Sequence, residues 1–103
     1  MNRLELRLVP DAVDRLDEAD RWWRENREKA PDLLTTEFVA AIDVLRESPD
    51  LGAPYPNEHL PDARRFLLRR TRFHVYYVVR DETLIVASLW SAIRGHGPPL
   101  RDR

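Results

Sequence analysis

The residues of this chain best suited to chemistry are three histidines and a set of arginines gathered late in the sequence. Imidazole is the side chain that exchanges a proton near neutral pH, and His74 lies inside a strand-like run, Phe73 to Arg80. Alternation along that run puts His74, Tyr76, Val78 and Arg80 on one face and Phe73, Val75, Tyr77 and Val79 on the other. The second set is the expected helix-facing core, and the first is what a ligand on the open face would meet. Arg94 follows the last apolar run and opens the segment Gly95-His96-Gly97-Pro98-Pro99-Leu100. Nothing in its local pattern asks for a buried charge, so Arg94 is the arginine most readily read as functional. His59 stands in a proline-rich connection and has no expected role. His59, His74 and His96 have no helical or hairpin ligand spacing, so neither a metal site nor a cofactor is expected.

The whole segment from Arg64 to Arg94 is basic, and the rest of the chain is not. Residues 1–62 hold 8 Lys and Arg against 15 Asp and Glu, a net of −7, whereas residues 63–103 hold 9 Arg against 3 acids, a net of +6. Such asymmetry suggests a basic face for an anionic partner, set on an acidic support. The competing reading is that strand arginines keep an exposed sheet soluble and its edges unpaired. With 103 residues the chain has the length of one domain, spanning 1–103. The absence of cysteine removes disulfide scaffolds and thiolate metal sites. A glutamate at position 5 interrupts any signal-peptide core, and the longest apolar runs are too short for a bilayer. The expectation is a cytoplasmic protein without membrane contact.

The elements that must position these residues follow from periodicity. Residues 3–9 alternate charged and apolar side chains, as a strand with one buried face does. After Pro10 the period lengthens: Ala12 or Val13, Leu16, Ala19 and Trp23 mark an amphipathic helix with proline in its first turn and acids near its start. Trp22 and Trp23 cannot both face the core. Around Lys29 to Asp32 this helix stops and a second begins, with Leu34, Phe38, Ala41, Ile42 and Leu45 on one stripe, ending near Ser48 because Pro49 follows. The two form an antiparallel hairpin of helices about 17 to 19 residues each, roughly 25 to 28 Å long. A turn-rich connection over 49–56 leads to strands at Arg64–Arg69, Phe73–Arg80 and Leu84–Trp90, with corners at Arg70-Thr71-Arg72 and Arg80-Asp81-Glu82-Thr83. The expected fold is α+β: β-α-α-β-β-β, a helical hairpin on one face of a mainly antiparallel four-stranded sheet, with the other face uncovered.

Four features in order resemble the RelE/ParE superfamily of type II toxins over nearly the whole chain. They are Ala12-x-x-x-Leu16, Leu45-x-x-x-Pro49-x-Leu51-Gly52, Arg65-x-Leu67 with Val75-Tyr76-Tyr77, and Leu89-Trp90-x-x-x-Arg94. The long hairpin and the Pro49 to Gly52 exit look more like ParE than RelE. What the resemblance implies is a toxin component of a toxin–antitoxin pair, linked to plasmid stabilisation and growth inhibition. Its expected partners are a cognate antitoxin, in a possible hetero-oligomer, and a target that is DNA gyrase for ParE-like members or the ribosome and mRNA for RelE-like ones.

Cutting RNA at a 2′-hydroxyl needs a proton acceptor, a proton donor and cations for the phosphorane. The resemblance matches the family's basic residue on the second strand to Arg65, places its next basic position on Leu67, puts a strand-three arginine position on His74, and matches the arginine after the last strand to Arg94. The C-terminal tyrosine of some RelE members has no counterpart near Leu100. The nuclease set is therefore incomplete: His74 as acid or base, Arg65 and Arg94 as phosphate clamps, His96 as a stand-in for the missing group. The leading expectation is target binding through Arg65, Arg94, His96 and Tyr76. A metal-independent mRNA endonuclease using His74, Arg65 and Arg94, and an inactive orphan binding module, are the alternatives.

Overall fold

The computed structural model describes residues 3–103. It contains β1 (Glu5–Leu8), α1 (Pro10–Asn26), α2 (Leu33–Glu47), a 3-10 turn at Pro49–Leu51, β2 (Ala53–Pro54), β3 (Arg64–Leu68), β4 (Phe73–Arg80) and β5 (Thr83–Ser91). Proline at the first position of α1, where no intrahelical N–H is needed, starts that helix. The helix is 17 residues long, but α2 is 15, shorter than its period suggests. Pro31 lies in the preceding turn rather than in the first turn of α2, and Asp32 is the N-cap residue. Trp23 is buried, with its indole N–H donated to the Ala30 carbonyl at 2.8 Å, while Trp22 is left 46% exposed.

The sheet has five strands in the order β1-β5-β4-β3-β2, one more than the sequence pattern suggests. The extra strand is the two-residue β2, where Ala53 and Pro54 pair with Arg65 and Arg64; it is too short to leave a periodic signal, and proline suits an edge. β1 runs parallel to β5, and the other pairs are antiparallel. β5 is thus an interior strand between β1 and β4, and every residue from Leu84 to Trp90 is buried. Both of its faces must therefore be covered.

One cover is the helical layer, with Leu34, Phe38, Ile42 and Leu45 in the same core as Val75, Leu84 and Val86. The other is the segment after β5, which corrects the expected uncovered face. Pro98 is buried, and Leu100 is fully buried. The Arg7 guanidinium donates to the Asp102 carbonyl at 2.7 Å, and Arg80 Nε lies 3.7 Å from the Asp102 carboxylate. Leu100, read from sequence as a misplaced apolar residue at a nuclease position, is a core side chain of this second cover.

The faces of β4 follow the expected alternation, but the expected difference in burial between them fails at its far end. Tyr76 pairs with Ser88 and Tyr77 with Val86, so Ala87 is an extra residue in β5, a bulge. Tyr76, Tyr77 and Val78 are all buried, and Val79, expected in the core, is 36% exposed. Tyr77 bridges to the hairpin exit: its hydroxyl donates to the Pro49 carbonyl at 2.5 Å and accepts the Gly52 N–H at 2.9 Å. A Cβ at position 52 would collide with that phenol, which is why glycine stands there.

Candidate functional site

The register sets out a site on the side of the sheet covered by the segment after β5. Arg65 pairs with Tyr76 across β3 and β4, and His74 pairs with Leu67 and Trp90. Arg65, His74, Tyr76 and Trp90 therefore stand on one face. The backbone turns after Ser91 and brings Arg94, His96 and Gly97 back over these side chains. The result is a cleft of about 170 Å³ lined by Tyr55, Arg65, His74, Tyr76, Trp90, Arg94 and His96 among others. All five residues singled out in the sequence as candidates for target contact or catalysis reach this one cleft. Its lining holds two arginines, two histidines and, among the described residues, no carboxylate.

Aromatic contacts fix the walls. The Arg65 guanidinium carbon sits 4.9 Å from the Tyr55 ring centroid, and that ring meets Tyr76 edge-on at 5.0 Å. His74 is 5.9 Å from Tyr76. Across the cleft Arg94 stacks over Trp90 at 4.3 Å, the Trp90 indole donates to the His96 carbonyl at 2.8 Å, and the His96 ring lies 5.7 Å away. Each cation is thus held against an aromatic face. Burial lowers the pKa of His74 below its ordinary value, with the charges of Arg65 and Arg72 adding to the effect. Neutral imidazole near pH 7 accepts a proton. Burial raises the Tyr76 phenol, opposed by Arg65, so Tyr76 stays a hydroxyl donor.

Tyr55 was missed in the sequence. Its position rests on β2 and on the bond from its N–H to the Ala63 carbonyl at 2.8 Å; the only sequence signal is an aromatic residue held between two prolines, Pro54 and Pro56. Arg64, one residue before the site, is used internally, donating to the Gly52 carbonyl at 2.6 Å.

A second depression of about 670 Å³ lies on the helix side, past the end of the sheet. Ala19, Trp22, Trp23, Phe73, Leu89 and Ile93 give it an apolar floor, and Arg15, Arg27, Arg70, Arg72 and Arg94 surround it with Glu18 as the one lining acid. Arg15 Nε is buried there without a partner.

No protein-family model matches the chain, and no curated protein matches it in sequence. Solved structures do match in shape. A chain of the chromosomal ParDE TA system of P. aeruginosa superposes with a TM-score of 0.71 at 18% identity, over 86% of this chain and 96% of that one. The chain has the RelE/ParE toxin fold. A double mutant of E. coli toxin RelE in the free state gives 0.53 at 21% identity, over 89% of this chain and 86% of that one. The intact E. coli RelBE toxin–antitoxin complex gives 0.51 at 25% identity, over 88% and 99%.

Proposed function

We propose that this protein is the toxin component of a type II toxin–antitoxin pair, ParE-like, acting by binding an essential target and neutralised by a cognate antitoxin. The observation that carries the reading is the cleft in which Arg65, Arg94, His74 and His96 converge without a carboxylate, on a fold similar to that of the ParDE chain. Two guanidiniums and two imidazoles aimed into one recess suit an acidic or phosphorylated group on a target. DNA gyrase is the family expectation for that target. The arginine-rimmed apolar depression beside α1 suits an acidic, apolar segment of the antitoxin, laid as a helix in a groove. The toxin and antitoxin would then form a hetero-oligomer in the cytoplasm.

Expression with and without the neighbouring reading frame tests this, followed by a supercoiling assay with purified gyrase. Growth arrest relieved by the neighbour, with supercoiling blocked, is the expected result. Normal growth and untouched supercoiling would sink the proposal.

One observation favours a second reading, ribosome-dependent mRNA cleavage. His74 is a partly desolvated imidazole beside Arg65, and its lowered pKa leaves it neutral and able to act as a base. On that reading His74→Ala and Arg94→Ala each abolish cleavage of translated mRNA while antitoxin affinity is nearly unchanged. Uncut mRNA with the unsubstituted protein rejects it. An inactive orphan that only binds a partner would produce neither arrest nor cleavage.

A further inference from the structure

The cleft is built as much by the segment after β5 as by the sheet, and that segment is held unusually. It crosses the sheet without joining it as a strand. Its attachments are few and discrete: the Trp90 indole to the His96 carbonyl, the buried Pro98, the fully buried Leu100, and Asp102 between Arg7 and Arg80. By register Arg7 pairs with Ile85, which pairs with Val78 next to Arg80 on the alternate position, so these anchors lie on the face that carries Tyr76. Gly97 sits so close to the Tyr55 hydroxyl that no Cβ fits. On the same face Ser88 Oγ is buried without a partner, so the cover is a plug and a clasp rather than a hydrogen-bonded layer.

We propose that residues 95–103 form a strap that completes the cleft, and that Leu100 and Asp102 are the positioning residues that hold it. Neither lines the cleft. Leu100 fixes the strap by filling the space above the sheet, and Asp102 fixes its far end to two strands, β1 through Arg7 and β4 through Arg80. Together they set where His96 and Gly97 stand opposite His74 and Tyr55. Loss of Leu100 leaves the sheet residues of the site in place and removes the opposite wall, and loss of the Asp102 side chain loosens it. Asp102 is the weaker of the two, because its ion pair with Arg80 is partly exposed and its carbonyl bond to Arg7 survives truncation of the side chain. The functional part of this proposal rests on the reading that the cleft contacts the target; the structural part does not.

The two hydrogen-bonded indoles supply the test. Trp90 Nε1–H is bonded to the strap at His96, and Trp23 Nε1–H is bonded to Ala30, away from it, both at 2.8 Å. Indole hydrogen exchange is followed by NMR in the full chain, in Leu100→Ala and in a chain ended after Pro99. Trp90 should exchange about tenfold faster or more in both variants, with Trp23 within about twofold of its original rate. Leu100→Met should restore Trp90, and Asp102→Ala should give an intermediate rate. Equal acceleration of both indoles means general destabilisation and overturns the strap, as does an unchanged Trp90. Growth arrest is scored in parallel. Full arrest by a Leu100→Ala chain whose Trp90 is deprotected overturns the positioning role while leaving the toxin reading intact. If the unsubstituted protein causes no arrest, the toxin reading fails and the indoles still decide the strap.

Discussion

His74 is the residue whose chemistry depends most on its surroundings. Its pKa is lowered first by burial and then by Arg65 and Arg72, so folding favours the neutral form. Above the ordinary histidine value of 6.5 the folded and unfolded states are both neutral there, and this group adds no pH dependence. As the pH falls below 6.5 the unfolded chain takes up the proton first, and stability drops until the pH passes the lowered folded value. His74→Gln should remove that part of the slope: the difference in urea midpoint between pH 7.5 and 5.5 becomes smaller than in the unsubstituted protein. An identical difference in both proteins rejects the assignment. At this scale the sequence was informative where strand alternation holds, since it put His74 and Tyr76 on one face. It was silent on Tyr55, because a residue delivered by a two-residue edge strand has no period to read. It was misleading at Leu100, because a lone leucine between Pro99 and Arg101 gives no hint that the sheet below it needs filling.

Among the elements, the corner between β3 and β4 shows how α2 supports the site. Arg70 and Thr71 donate their backbone N–H groups to the Glu37 carboxylate at 2.8 and 3.0 Å, and the Thr71 hydroxyl adds a third bond at 2.7 Å. Thr71 is buried, so its N–H and hydroxyl have no water to fall back on, whereas Arg70 is exposed. Arg72 follows with φ of 65°, a left-handed conformation that a non-glycine residue adopts at some cost. The carboxylate offsets that cost and aims Arg70 and Arg72 toward the second depression. Glu37→Ala should destabilise the fold by about 2–4 kcal/mol, from the loss of charge-assisted bonds and the orphaning of buried donors. Glu37→Gln should recover part of this, because its amide oxygen still accepts. Denaturant unfolding of the two variants checks the order, and equal stabilities would reject it. The helices, the three long strands and both corners were legible from the apolar period and the turn residues. The tie from Glu37 to the corner was not, because it joins residues more than thirty positions apart, and neither was the strap.

Over the whole molecule, charge is sorted by use. Arg3, Arg24 and Arg80 are spent on Asp43, on Asp20 and Asp32, and on Asp62, and Arg46 and Arg64 are spent on backbone carbonyls. The Asp62 carboxyl is held below its ordinary value by the Arg80 hydrogen bond, as a committed pair requires. Arg70, Arg72 and Arg94, by contrast, stand around one end of the sheet beside Trp22, Phe73 and Ile93. The division of the sequence into acidic and basic halves therefore understated the concentration of positive charge, since Arg15 of α1 and Arg27, which caps that helix, lie at the same end. Exposed charges are screened beyond about 8 Å at physiological ionic strength, so an acidic partner steered to this end should associate more slowly as salt rises. Stopped-flow association with the proposed antitoxin should show a rate falling about tenfold or more between low and high salt. Replacing Arg70 and Arg72 together by serine should flatten that slope and leave the dissociation rate close to its original value, because these side chains border the apolar floor without forming it. A double variant that keeps the full salt slope would place the steering charge elsewhere. One that mainly speeds dissociation would make the two arginines part of the bound contact.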